Sequence, residues 1–430
     1  MGGDRVATED DRVKARRIIG LILVLALCRL GLPGKSDARA QEFGIREFNT
    51  GESWSTADVS ADLGTQTADG RWPEGAWDRA ASGESMTLQA TAAGCEICGA
   101  GYDRPHLWTW YNGARILNRS RPRAKSITQD ISGNSLLDIQ DLNDDIAGGY
   151  ETRVTYYLGR DKENRDEFLE FVYWGLNEWS DSQSVSGTRT NYTSDTGSFT
   201  AGSLFSPSNL TDFDFADWQQ AEYHSEINNF ELNWWFRPRH RADRLALLPN
   251  GRWQRQGQTG TFWSFLLGMR GISLDEGFTF DSRGEIVSGS GTTTLWGRQS
   301  IWSQSDTYGF QVGVELLFHR HRFDWGARVK AAPMLNWSKQ TTRMDLLNDP
   351  SPILRFAKDT DAAFMGEVNL FASYEVLPRV TVFGGYDLMW LEGVALAAEQ
   401  IDFALSTPAQ VNDNGGVFFQ GISLGGQVVW

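Results

Sequence analysis

Cysteine is nearly absent from this chain, with three in 430 residues, and histidine is scarce at five. Basic residues are outnumbered 40 to 55, which leaves a formal net charge of −15. Beyond residue 40 no apolar run is long enough to be a transmembrane helix. Each shortage excludes something. The acidic balance argues against nucleic acid as a partner. Cys95 and Cys98 form a C-x-x-C pair with too few further cysteines for a four-thiol zinc site and no βαβ pattern for a thioredoxin-like domain. A local disulfide or a pair of free thiols is the reading taken over redox or metal work. If the protein crosses a membrane, it must do so as a closed barrel.

What is present starts with an export pattern. Lys14, Arg16 and Arg17 precede a ten-residue apolar run, Ile18–Leu27, and Ala38-Arg39-Ala40 supplies an A-x-A site. This predicts a signal peptide over residues 1–40, cleaved before Gln41. Its removal takes away eight basic and five acidic residues, leaving 32 and 50 and a net charge of −18. Residues 41–104 are rich in Gly, Ala, Ser, Thr and Asp without a sustained period, and read as an irregular periplasmic or plug segment.

From Leu107 the texture changes to alternating segments. The period-two pattern predicts ten strands: Leu107–Asn118, Gly149–Leu158, Glu167–Asn177, Ser225–Phe236, Thr261–Leu274, Thr307–Phe318, Phe323–Trp337, Ala363–Val376, Arg379–Leu391 and Gly416–Trp430. Glu167–Asn177 and Arg379–Leu391 are apolar on both faces, so alternation leaves their orientation open. Connections after the odd-numbered strands are long, about 30, 47, 32, 25 and 24 residues. Those after the second, sixth and eighth are short, about 8, 4 and 2, and the fourth is intermediate. Membrane barrels sort their connections this way, with short periplasmic turns and long external loops. Eighteen tryptophans, many toward strand ends, suit two aromatic girdles. The last strand alternates cleanly, and Gly426, Val428 and Trp430 on its apolar face read as an assembly signal for the barrel-assembly machinery. The expected fold is all-β: a transmembrane antiparallel barrel of about ten, at most twelve, strands in the bacterial outer membrane, with its lipid bilayer as the first partner.

Short blocks across residues 107–430 carry a resemblance. They are Pro105-His106-Leu107-Trp108, Glu231-Leu232-Asn233-Trp234-Trp235, Leu267-Gly268-Met269-Arg270 with Leu274-Asp275-Glu276, Glu367-Val368-Asn369-Leu370, Gly384-Gly385-Tyr386-Asp387-Leu388-Met389-Trp390, and the close on Trp430. In these the chain resembles a family of planctomycete outer-membrane β-barrel proteins. The resemblance implies a bacterial outer-membrane barrel. It implies no established activity and no site residues, and it does not extend to residues 41–104.

Candidate chemistry is sparse. Gly421-Ile422-Ser423-Leu424-Gly425 matches G-x-S-x-G, but no helix follows to build a nucleophile elbow. Asp141-Leu142-Asn143-Asp144-Asp145 opens like a calcium loop, yet Ile146 stands where glycine is due and Thr152 where glutamate is due. His319 and His321 read as part of a charged turn without an adjoining acid. Arg237, Arg239, Arg241, Arg244, Arg252 and Arg255 read as a basic turn. The polar strand faces carry Glu231, Arg270, Glu315, Arg328, Lys330, Glu367, Glu375 and Asp387, which are expected to face the lumen. Ten strands make a small barrel, and small barrels are largely filled by their own side chains. The expectation is a non-enzymatic barrel without cofactor or metal, either structural or a narrow polar channel for ions or small polar solutes. The alternatives are a surface binding or adhesion module displaying the acidic external loops, especially Trp179–Tyr223, and, behind it, an outer-membrane hydrolase.

Overall fold

The computed structural model describes residues 107–430, apart from 143–145, 164, 195–196, 209, 239–243, 248–252, 257–258, 321, 348, 378 and 403–408; for 244–247, 253–256, 349 and 350 only the backbone is described. The expected signal peptide, the segment 41–104, Cys95 and Cys98 lie outside the described residues. So do His106, His240, His321 and most of the arginine cluster. Ten long strands form the wall: β1 (Trp108–Arg119), β2 (Ile146–Arg160), β3 (Arg165–Ser186), β4 (Trp218–Pro238), β5 (Gly260–Ser288), β6 (Gly291–Arg320), β7 (Phe323–Leu346), β8 (Asp349–Leu377), β9 (Val380–Val394) and β10 (Gly415–Val429). Each pairs antiparallel with the next, and β10 pairs with β1, so the sheet closes on itself. At the seam Trp108 and Trp430 exchange backbone hydrogen bonds of 3.1 and 3.0 Å. The protein is a transmembrane antiparallel β-barrel of ten strands. Closure matters because an open edge in lipid would leave unpaired N–H and C=O groups.

Alternation sets the two faces. On β6, Tyr308, Phe310 and Val312 point outward and are well exposed, Phe310 at 72%, while Thr307, Gln311 and Glu315 point in and are buried. Neighbours continue the outer band with Phe230, Leu232 and Trp234 on β4, Trp263, Phe265, Leu267 and Met269 on β5, and Val329 and Leu335 on β7. The eleven residues from Tyr308 to Phe318, tilted as barrel strands are, span about 25 Å, the height of an outer-membrane apolar band. Above it the outer face turns polar, with Ser273, Asp275, Thr279 and Asp281 following Met269 at the same parity on β5. No helix among the described residues is long and apolar enough to cross a membrane; the crossing is made by strands.

One expectation is corrected in form. Two of the long connections are not loops. β5 and β6 continue to Ser288 and Gly291, and β7 and β8 to Leu346 and Asp349. Strands β3 to β8 thus rise far beyond the band as a tall curved wall, and among the described residues the long connections outside the wall strands are those from β1 to β2, β3 to β4 and β9 to β10. The sequence marked only the membrane-spanning halves because polar residues on both faces of the extension erase the alternation there. A second irregularity explains the ambiguous third strand. Leu176 has φ 62 and sits in a bulge between Gly175 and Asn177. The extra residue reverses side-chain parity, so Val172 and Trp174 point in below it and Trp179 points in above it.

Candidate functional site: the layered lumen

The interior is filled in layers, and β5 alone spells them out. Its inward residues run Arg270, then Ile272 and Leu274, then Glu276, then Phe278 and Phe280. The same sequence of charge, apolar, polar and apolar recurs on β4 as Glu231, Ile227, Tyr223 and Ala221, and on β1 as Arg115, Leu117 and Arg119. Register puts Glu231 opposite Arg270, so the layers align around the ring.

The lowest level is aromatic, with Tyr111, Phe371 and Phe383 packed together and Leu317 beside them. Above it lies the charge layer. Arg270 Nη1 donates to Glu367 at 2.8 Å, its Nε to Asn229 at 2.7 Å, and its Nη2 lies 3.6 Å from Glu231. Lys330 bridges the same two acids, 2.9 Å from Glu231 and 3.5 Å from Glu367. Arg115 pairs with Asp387 at 2.8 Å and stands 3.6 Å from both Glu151 and Glu367. Arg328 meets Glu315 at 2.6 Å, and Arg153 meets Glu151 at 2.6 Å. Amides fill remaining positions: Gln311 and Asn233 donate to Glu231, and Asn369 donates to Asp387. Arg115 lies 4.6 Å over the ring of Trp174 and Arg328 4.9 Å over that of Trp235. Glu170 accepts from Trp235 at 2.8 Å. Counting Arg115, Arg153, Arg270, Arg328 and Lys330 against Glu151, Glu170, Glu231, Glu315, Glu367 and Asp387, the two signs nearly balance. Such charges lose their hydration and persist only because each faces an opposite charge and hydrogen-bond donors or acceptors. Free space between them is about 10 Å³, room for roughly one water.

Over the charge layer sits an apolar one that includes Leu117, Trp174, Trp179, Ile227, Leu274, Met334, Met365, Met389 and Phe419. Next comes a small polar tier, where Arg119 hydrogen-bonds both Tyr223 and Glu276. Glu276 also accepts from the Ala397 N–H at 2.8 Å, and Ser303 donates to the Ala395 carbonyl at 2.5 Å. The β9–β10 connection is thereby pinned inside the mouth. Above, Phe278, Phe280, Ile301 and Met344 of the wall pack with Ile127, Leu137, Ile139, Leu142, Phe213, Ala398 and Ile401 of the loops. The loops fold inward and cap the barrel.

Of the residues expected in the lumen, Glu231, Arg270, Glu315, Arg328, Lys330, Glu367 and Asp387 lie together in the charge layer. Glu375 does not; it is half-exposed at the periplasmic rim, beside a bulge, with its N–H on the Arg322 carbonyl. Arg115, Arg119, Glu151, Arg153, Glu170 and Glu276 belong to the interior and went unnoticed in the sequence, though each shares parity with a buried residue of its own strand. Ser423 is wholly buried on the last strand, as a strand residue and not at an elbow. His319 does have an adjoining acid, Asp324, whose carboxylate lies 2.5 Å from Nδ1. Val428 and Trp430 face outward. Asn143, Asp144 and Asp145 lie outside the described residues, and among the described residues no cluster of three or more His, Cys, Asp or Glu side chains is placed to hold a metal.

No protein-family model matches the chain, and no curated protein does. Solved structures similar to it are outer-membrane barrels at low likeness. The transport unit of the autotransporter AIDA-I from Escherichia coli is 8% identical, over 77% of this chain and 92% of that one, with a TM-score of 0.23. A Pseudomonas aeruginosa FadL homologue is 8% identical over 75% and 90%, with a TM-score of 0.21. The P. putida toluene transporter TodX is 8% identical over 76% and 91%, with a TM-score of 0.21. At these values the case for the fold rests on the closed ring itself.

Proposed function

We propose that this protein is a non-catalytic outer-membrane barrel with a sealed lumen, whose working surface is its external end. An apolar band about 25 Å tall on a closed antiparallel ring supports the outer membrane as its location, as does the leader-like N-terminal pattern. The blocks shared in texture with planctomycete barrels support the same class. One observation carries the sealed lumen: a charge layer with about 10 Å³ of free space lies between an aromatic layer and an apolar one. Ions need a continuous wet path, and a dry layer of Met, Leu, Phe and Trp opposes it. A narrow polar channel is therefore the weaker reading of the same luminal charges.

The external end keeps the surface-binding reading, with its segment redrawn. Trp179 and Tyr223 are buried inside the barrel, so the accessible element is the hairpin Thr190–Ser194/Gly197–Ala201 and its surroundings. Single-channel recording in a planar bilayer tests the proposal, with folding verified beforehand by heat-modifiable gel migration. The folded, inserted protein is expected to stay silent. Discrete, reproducible current steps would refute the sealed lumen.

A further inference from the structure

Lysine is rare in this chain, with seven in 430 residues. Five of the seven, Lys125, Lys162, Lys330, Lys339 and Lys358, fall among the described residues. Two of those five, Lys339 on β7 and Lys358 on β8, stand directly opposite one another on the outward face. Like charges so placed destabilise a strand pair. No carboxylate pairs with either among the described residues. Asp306, a diagonal neighbour on β6, instead accepts from Ser273 at 2.8 Å and Gln304 at 2.9 Å. The protein leaves this repulsion standing, whereas other exposed cations of the wall are paired, Arg343 with Asp345 and Arg298 with Asp281. Along the same cross-strand row, β3, β4 and β5 carry Glu178, Glu226 and Asp275.

Height decides what the lysines face. The outward apolar column of β7 ends with Leu335 and Trp337, and Lys339 is the next outward residue. Two residues along a tilted strand raise it about 5 Å above Trp337, into the headgroup region and out of the hydrocarbon. The next row up is aromatic again: Trp302 and Phe356 both flank Thr341, both are exposed, and Lys358 Nζ lies 5.1 Å over the Phe356 ring. An unneutralised ammonium pair is thus bracketed by interfacial rings at the external border of the band.

We propose that Lys339 and Lys358, framed by Trp337, Trp302 and Phe356, dock the phosphate of an outer-leaflet glycolipid against the β7–β8 wall. The chemistry fits: two ammonium groups give charge-assisted hydrogen bonds to phosphate oxygens, and the rings pack on sugar and acyl-chain carbon. The inference rests on the outer-membrane reading given above.

The test uses the full chain folded in detergent micelles, with diphosphoryl lipid A as the probe and native mass spectrometry as the readout. Insertion and heat-modifiable migration are scored first, so failure of the membrane reading is seen separately from failure of the site. A lysine near an anionic lipid surface is worth about a fivefold preference, so K339Q/K358Q is expected to bind about thirtyfold more weakly. K339R/K358R is expected to bind like the wild type. Equal binding of dephosphorylated lipid A by the wild type, or unchanged binding by K339Q/K358Q, overturns the proposal. Displacement of the lipid by millimolar inorganic phosphate would assign the pair to a free anion, and loss of a dimer in K339Q/K358Q would assign it to a second copy of the chain. Either result overturns the lipid site.

Discussion

Replacing Arg270 by methionine separates a sealed, dry lumen from a wet one. Its side chain is 1% exposed and meets Glu367, Glu231 and Asn229. Methionine keeps much of the volume and removes the charge. Removing one partner of a buried pair typically costs about 3–5 kcal/mol, because the other charge is left without compensation. Here Lys330 and Arg115 remain 3.5 and 3.6 Å from Glu367, so about 3 kcal/mol is the expected loss. E367M should cost a similar amount, since it strips a carboxylate from three cations. The double variant R270M/E367M should cost less than the two singles added, with a coupling of about 1–3 kcal/mol. Reversible urea unfolding in lipid vesicles, followed by fluorescence of the eighteen tryptophans, measures all three. In a hydrated channel the same pair would behave like a surface salt bridge, worth about 0–1 kcal/mol. Singles that cost less than about 1 kcal/mol and show no coupling would refute the reasoning. The R270M barrel should also remain electrically silent, because the apolar layer above it is untouched.

The β3–β4 connection should respond to pH through Asp214. Burial raises its carboxyl to about 6, against a usual 3.8, and only the Ser206 N–H at 3.2 Å offsets this. A raised carboxyl favours the folded loop when protonated, so stability present below about pH 4 is lost as pH rises through about 6. D214N should hold the loop equally at both ends of that window. Hydrogen exchange across residues 204–217, corrected for intrinsic rate, reads this out, and an identical pH response in wild type and D214N would sink it. At the seam, a Cβ on Gly421 would stand 1.9 Å from the Ile116 carbonyl oxygen on β1. G421V should therefore fail to close the ring and lose heat-modifiable migration; a normally migrating G421V would contradict the register.

How much of this was legible depends on how strongly lipid constrains each face. Where one face meets hydrocarbon, period two is enforced, and all ten strands could be read, including Tyr308 to Phe318 on β6. Above the membrane both faces of β5 and β6 are free to be polar, so Thr279 to Arg298 looked like loop although it is strand and turn. The charge layer was legible where an ionic residue falls on the polar face of a clean alternation, as Glu231 and Glu367 do. Arg115, Glu151 and Arg153 lie in strands mixed with Gly, Thr and Tyr, where no outer column is apolar enough to set the phase. The inward folding of the loops left no local signal. Phe213, Ile139 and Ala398 become core only because distant segments meet over Phe278 and Phe280.

The layering bears on why a sealed barrel would carry so many buried charges. An all-apolar filling would be as dry and, by the usual balance of desolvation against attraction, no less stable. It would also tolerate slippage, since apolar residues two apart along a strand are nearly interchangeable. A one-residue slip inverts a strand's faces, but a two-residue slip preserves them and is resisted only by what each inward residue must meet. Sliding β5 by two residues would set Gly268 or Ile272 against Glu231 and Arg270 against Asn233 or Asn229, separating the two charges in the interior. Alternating charged and apolar layers therefore makes the two-residue slip costly on every strand at once. On this argument the buried ions favour one register over its two-residue neighbours.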